Sequence, residues 1–215
     1  MMLLAGSACK KSPGVNQNLN PDEQKPVDFM STKNGSYWRY GARNGESYTR
    51  YARDKDTMKN NLKYSYYERQ NDSTGSTFPE YFGKNGEYHF TLIDLDGAQT
   101  TYLEYAFWKD SAKQGDTWNN TGQVFYQLVG NVAILIESTQ SESGLTMTVG
   151  SNTFTNVVHV HSDAKASLLN LKVGTFDIWF VKGIGVIREE ADINIANGAY
   201  VQNHIDSLLS YHIEP

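Results

Sequence analysis

GVIREEADINIANGAYVQNHIDSLLSYHI, residues 185–213, decides the fold class. Residues 185–195 are rich in β-branched side chains, and Asn197-Gly198 supplies the positive φ angles that a two-residue hairpin needs. Beyond that turn, Ala199, Val201, Ile205, Leu209, Tyr211 and Ile213 share one face of a strand. Gln202, His204, Asp206, Ser210 and His212 share the other, and Asn203, Ser207 and Leu208 break the alternation. A helix would instead align Ile205, Leu208, Leu209 and His212 at i, i+3, i+4 and i+7. The turn favours the strand, folded back onto residues 185–195 as an antiparallel hairpin.

The same signal recurs upstream. Asn34-Gly35, Asn44-Gly45, Asn85-Gly86 and Asp96-Gly97 punctuate segments of period-two or fully apolar character. These segments cover 36–42, 48–53, 62–69, 87–94, 100–108, 123–129, 132–138, 145–149, 153–161 and 175–182, and no convincing helical stripe precedes residue 199. Val132-Ala133-Ile134-Leu135-Ile136 is apolar on both faces, and Phe176 to Val181 nearly so, which marks central strands. Two-sided burial on that scale requires a sheet that folds over itself. The expectation is an all-β domain over residues 29–215: an antiparallel curved sheet, half-barrel, barrel or sandwich.

Composition narrows the function. The net charge of −5 over 215 residues is mild, and no basic stripe interleaves with the aromatics, so nucleic acid is not an expected partner. A single cysteine excludes an internal disulfide and a cysteine-based zinc cage. That cysteine, Cys9, follows Leu3-Leu4-Ala5-Gly6-Ser7-Ala8 and precedes Lys10-Lys11. Residues 9–28 then hold three of the five prolines, Pro13, Pro21 and Pro26, among Asn, Gln and Lys. This is a linker composition, with a coil reach of very roughly 25 Å.

The run ending at Cys9 resembles the lipobox of bacterial lipoproteins, with Gly6 where that pattern usually has Leu. The resemblance implies a signal remnant over residues 1–8, a lipid on Cys9 and a membrane as partner. An ordinary secretory cleavage at Gly6-x-Ala8 is the alternative and would leave a free thiol. Gly35-x-x-Trp38-x-Tyr40, Phe154-Thr155-Asn156-Val157-Val158 and Trp179 to Ile187 together resemble small lipoproteins of the Bacteroidetes type. That resemblance implies an exported antiparallel β domain and carries over no catalytic residues. By analogy Lys10, in place of an inner-membrane retention Asp, implies the outer membrane. The absence of an early acidic cluster places the domain on its periplasmic face. Asp72-Ser73-Thr74 and Asp110-Ser111-Ala112, with Asp56-Thr57-Met58 and Asp206-Ser207-Leu208, resemble the O-glycosylation acceptor pattern of the same bacteria. Ser73 and Ser111, in polar connections, are the preferred acceptors.

Enzyme signatures are thin. Gly183-x-Gly185 lacks a third glycine and a following helix, and reads as a bulge or a close strand approach. His159-x-His161, with Asp163 beyond, puts two imidazoles on one strand face. It would need a third metal ligand from His89, His204 or His212, and a solvated face is the simpler reading. Asp94/Asp96 and Glu189/Glu190 are carboxylate pairs that turn chemistry and solubility explain. There is no Gly-x-Ser-x-Gly elbow and no P-loop.

The expectation is a protein without catalysis, metal or cofactor. With 14 Tyr, 9 Phe and 4 Trp, it binds an apolar or glycan ligand on the concave face through Trp38, Tyr40, Tyr102, Tyr105, Phe107, Tyr126 and Trp179. The alternative is a structural or interaction protein of the outer membrane whose rings are core.

Overall fold

The computed structural model describes residues 28–59, 61–94, 102–126, 130–167, 171–195 and 200–215. Cys9 and the linker lie outside the described residues. Twelve strands follow one another: β1 (Tyr37–Ala42), β2 (Ser47–Lys59), β3 (Leu62–Asn71), β4 (Thr77–Asn85), β5 (Tyr88–Asp94), β6 (Tyr102–Lys109), β7 (Thr117–Tyr126), β8 (Gly130–Val149), β9 (Asn152–Ala166), β10 (Leu171–Val181), β11 (Gly185–Ile195) and β12 (Tyr200–His212). They form one antiparallel sheet in the order β6-β5-β4-β3-β2-β1-β12-β11-β10-β9-β8-β7, nearly closed into a barrel. Every neighbour in the sheet is also a neighbour in sequence except β1 and β12, which join the two halves from Tyr37↔His212 to Ala42↔Asp206.

The hairpin read at residues 185–213 is present: β11 pairs with β12 from Arg188↔Ser207 to Ile195↔Tyr200. Asn44-Gly45 and Asn85-Gly86 turn β1 into β2 and β4 into β5, and Gly45 and Gly86 take φ of 86° and 59°. Asp96-Gly97 and Asn197-Gly198 lie outside the described residues. Asn34-Gly35 joins no two strands; it leads the segment before β1 into the barrel wall. The two segments read at 132–138 and 145–149 are one strand, β8, which absorbs three register shifts between Gln140 and Met147 against β9.

β6 and β7 terminate the sheet order and share no ladder. Inward-facing side chains of β7 replace it. The amide of Asn120 does what a facing peptide would do: its Oδ1 accepts Ala106 N–H at 3.1 Å and its Nδ2 donates to Glu104 C=O at 2.6 Å. Trp118 Nε1 donates to Ala106 C=O at 2.8 Å. One strand on, Ser138 of β8 joins Ser162 of β9, which meets the Tyr105 hydroxyl at 2.8 Å. β6 thus laps over the inner face of β7, and Gly122 leaves room for Leu103, whose side chain a Cβ there would strike.

The end where β10 turns into β11 is plugged. Phe29 is fully buried, edge-on to Phe82 (5.6 Å), His89 (5.5 Å) and Phe107 (5.2 Å), and its carbonyl accepts Gly183 N–H. Met30 packs so close to Gly185 that a Cβ there would clash. The Tyr67 hydroxyl donates to Ser31 C=O at 3.0 Å. The outer surface carries ion pairs such as Arg39–Asp72, Lys63–Asp56 and Lys172–Asp163.

The lap joint predicts a stability effect. Asn120→Ala leaves the buried Ala106 N–H and Glu104 C=O unpaired, which at about 1–3 kcal/mol per group should cost about 2–6 kcal/mol in urea unfolding. Thr121→Ala, on the exposed face of the same strand, should stay within about 0.5 kcal/mol. Equal losses would show that the amide does not hold the seam.

Candidate functional site

The ladder between β4 and β5 runs only from Asn85↔Tyr88 to Phe82↔Thr91. Above it the two strands part. Pro79 sits in the parted stretch and still pairs with Glu68 of β3. A proline has no N–H to give a strand on its other side, so this length of β4 behaves as an edge. Phe78, Pro79 and Glu80 on one lip, and Leu92, Ile93 and Asp94 on the other, line a cavity of about 410 Å³. Its floor is Phe82 and Phe107, with the plug ring of Phe29 behind them. Tyr105 and Phe176, stacked at 4.8 Å, form a wall with Ile178, and Phe78, 51% exposed, stands at the rim.

A charged cluster faces these rings. Arg50 of β2 is buried between the Tyr40 and Phe82 rings, 5.0 Å from each centroid, and is salt-bridged to Glu80. Its Nη1 donates to the Tyr40 hydroxyl at 3.2 Å, and that hydroxyl donates onward to Val186 C=O at 2.8 Å. Arg69 of β3 lies 3.7 Å over the Tyr48 ring. From the other side of the barrel, β11 and β12 bring Glu189 and Asp206 into direct register. His204 stands 3.5 Å from Glu189 and 3.8 Å from Asp206. Asp206 Oδ2 accepts the Tyr48 hydroxyl at 3.0 Å.

Electrostatics separates the two carboxylates. Burial raises the Asp206 pKa above its ordinary value, and Glu189 beside it adds to the rise. Burial would raise Glu189 too, but His204, Arg50 and Arg69 outweigh it and hold that carboxyl below its ordinary value. Burial alone would lower His204; Glu189 and Asp206 reverse the sign and raise it.

Of the rings expected at a ligand site, Tyr105 and Phe107 line the cavity. Tyr40 backs Arg50 from the core, and Trp38 is wholly core, its Nε1 donating to Ile184 C=O. Strand parity turns Trp179 the other way: Phe176, Ile178 and Phe180 point inward, so Trp179 lies on the outer face, stacked on His159 at 4.2 Å. Tyr102 likewise sits on the side of β6 away from the cavity, edge-on to Tyr81. The Tyr126 side chain lies outside the described residues. Glu189 and Asp94, read from the sequence as solubility and turn residues, belong to the cavity, as do His204, read there only as a candidate third metal ligand, and Arg50, Arg69 and Asp206, which that reading did not select as site residues.

The histidine pair is engaged on the outer face, where both His159 Nε2 and His161 Nδ1 meet Asp177 Oδ1, at 2.8 and 2.9 Å. His89, His204 and His212 lie elsewhere. Among the described residues, one group has metal-ligand spacing: Asp28, His89 and Asp110, beside the plug. The Lys84 ammonium occupies its centre, 2.9 Å from Asp28 and 2.6 Å from Asp110. Burial holds His89 below its ordinary pKa, so the neutral ring donates from Nε2 to Asp110 at 2.9 Å. This is a latch on the plug, with the cation supplied by the chain itself. Ser73 and Ser111 are exposed, and their hydroxyls donate to Asn71 and Glu87.

The His204–Glu189 pair should make stability depend on pH. His204 is raised above 6.5, so its contribution is complete below 6.5 and is lost as pH rises through its folded value. Glu189 is lowered below 4.5, so its contribution is complete above 4.5 and is lost as pH falls through its folded value. The pair therefore contributes most between those two ordinary values. An NMR titration should place the His204 midpoint above 6.5, and Glu189→Gln should lower it; an unmoved midpoint would show that the pair does not form.

Compared with protein-family models, curated proteins and solved structures, the chain matches none.

Proposed function

We propose that this protein is a binding module that takes one small molecule, apolar on part of its surface and polar on the rest, into the barrel interior. The observation that carries the reading is the cavity. Its volume of about 410 Å³ falls within the roughly 300–1,000 Å³ usual for small-molecule sites, and rings and charged groups share its lining. The plugged end of the same barrel shows what a purely structural interior looks like: there Phe29, Phe82, Phe107 and Phe180 fill the space with ring-to-ring contacts. We assign the module no reaction and no cofactor. In this reading residues 9–28 tether it through lipidated Cys9 to the outer membrane, on the periplasmic face.

Thermal unfolding of the full chain against palmitate, lysophosphatidylcholine and a set of mono- and disaccharides tests the reading. At a hundredfold excess over Kd, a ligand adds about 2.7 kcal/mol, or roughly 5–10 °C in Tm for a domain of this size. Ile178→Trp, which fills the cavity from its wall, should abolish the shift. No shift from any compound in the wild type would overturn the reading.

A further inference from the structure

The two ends of the sheet order are left in different states. On β6 the groups that face the seam are satisfied: Ala106 N–H, Ala106 C=O and Glu104 C=O bond to the side chains of Asn120 and Trp118. Nothing does the same for β7. Gln140 N–H of β8 donates to Asp116 C=O at 3.0 Å, which fixes the alternation of the ladder: Trp118, Asn120 and Gly122 turn their peptide groups toward β8. Thr117, Asn119, Thr121 and Gln123 alternate with them and turn theirs to the open side. There the N–H and C=O groups of these four have no hydrogen-bond partner among the described residues. Thr117, Thr121 and Gln123 are exposed and Asn119 is half-buried.

An open edge in a natural sheet is ordinarily guarded by a charge, a proline or a bulge. β7 has none of these. Among the described strands TWNNTGQVFY alone lacks Asp, Glu, Lys and Arg, and its ladder with β8 runs without a register shift. β6, at the other end of the order, carries Glu104 and Lys109. The strand without charge and the strand with the open edge are the same strand.

Chemistry selects what pairs there. A foreign peptide added to an edge is held by backbone bonds and chosen by pockets for its alternate side chains. The side chains beside this edge, Thr117, Asn119, Thr121 and Gln123, are polar and build no apolar pocket. A second copy needs no pocket. Antiparallel pairing about a twofold axis at Asn120 sets Thr117 against Gln123, and Asn119 against Thr121, of the other copy, with each pair exchanging two N–H···O bonds. The same axis would bring any charge near it up to its own copy, and the strand has none to bring.

We propose that β7 is a homodimerisation edge, through which two copies of this chain pair antiparallel about Asn120 and join two barrels into one continuous sheet.

Sedimentation velocity of the full chain, with reductant present so that Cys9 forms no disulfide, tests this beside amide hydrogen exchange. At a concentration of about 300 µM the chain should run at twice its 24.2 kDa mass, with the Thr117, Asn119, Thr121 and Gln123 amides protected. Thr121→Lys and Thr121→Glu set like charges across the axis; each should return the monomer and speed exchange at those amides by about tenfold or more, and the two variants mixed should dimerise again. Thr121→Pro removes an N–H that β8 does not use, so the urea midpoint should hold while the dimer is lost. The charge pair keeps the test intact if the proline variant misfolds. A chain that is monomeric at about 300 µM overturns the proposal, and protected edge amides in that monomer would assign the edge to another segment of the same chain. A dimer whose edge amides exchange freely, or one that survives Thr121→Lys and Thr121→Glu, overturns it as well.

Discussion

A sheet of twelve antiparallel strands must dispose of two edges, and here inward-facing side chains do so for β6, with the Asn120 amide making two of the bonds and Trp118 a third. Asn120 presents the same donor and acceptor that a neighbouring peptide would present, at the spacing β6 requires. A ladder would have held β6 and β7 edge to edge, at roughly 4.8 Å. The amide, one side chain longer, lets β6 lap over the inner face of β7 instead. That inward step carries Tyr105 to Ser162 and to the Phe176 ring, and so builds the cavity wall.

The second departure from a regular barrel is the parting of β4 and β5 beyond Phe82↔Thr91. Pro79, three residues further on, has no N–H to give a ladder there, and the lips are lined by Phe78, Glu80, Leu92 and Asp94. The groups behind that gap are charged, yet Arg50 is nearly inaccessible to water. Two ring faces and the Glu80 carboxylate surround it, and although burial alone would lower its pKa, Glu80, with Tyr40 and Tyr48, outweighs burial and holds it well above the ordinary value.

Much of the fold was legible in the sequence because hairpin turns write themselves locally: Asn44-Gly45 and Asn85-Gly86 turn β1 into β2 and β4 into β5, and the β-branched runs flanking such pairs are strands. β4 itself was missed. Pro79 argues against a strand wherever both neighbours are assumed to pair, and only the tertiary gap beside it resolves the conflict. The division of β8 into two segments failed for a related reason, since its polar middle is a bulged stretch rather than a turn. The site was less legible than the fold. Tyr105 and Phe107, selected as rings, line the cavity, but Trp179 lies on the outer face, which its strand, nearly apolar on both sides, does not signal. In β12 the expected logic inverts: Val201, Leu209 and Tyr211 are exposed, while His204 and Asp206 turn inward. No local pattern signals a strand whose polar face is its buried one; the partners that tolerate it, Tyr48, Arg69 and Glu189, come from other strands.

The plug has a mechanical consequence. The chain enters the barrel at the end opposite the Asn71 and Asp94 rim, through Asp28 latched to Lys84 and Phe29 wedged among rings. Tension applied through the residues before Asp28 is borne first by that ion pair and that wedge, then by the pairing of β1 with β12. The lips of the cavity lie off this load path. A pull on the residues before Asp28 would draw out the stopper before it deformed the mouth of the cavity, so the point of load and the cavity mouth lie at opposite poles of one barrel.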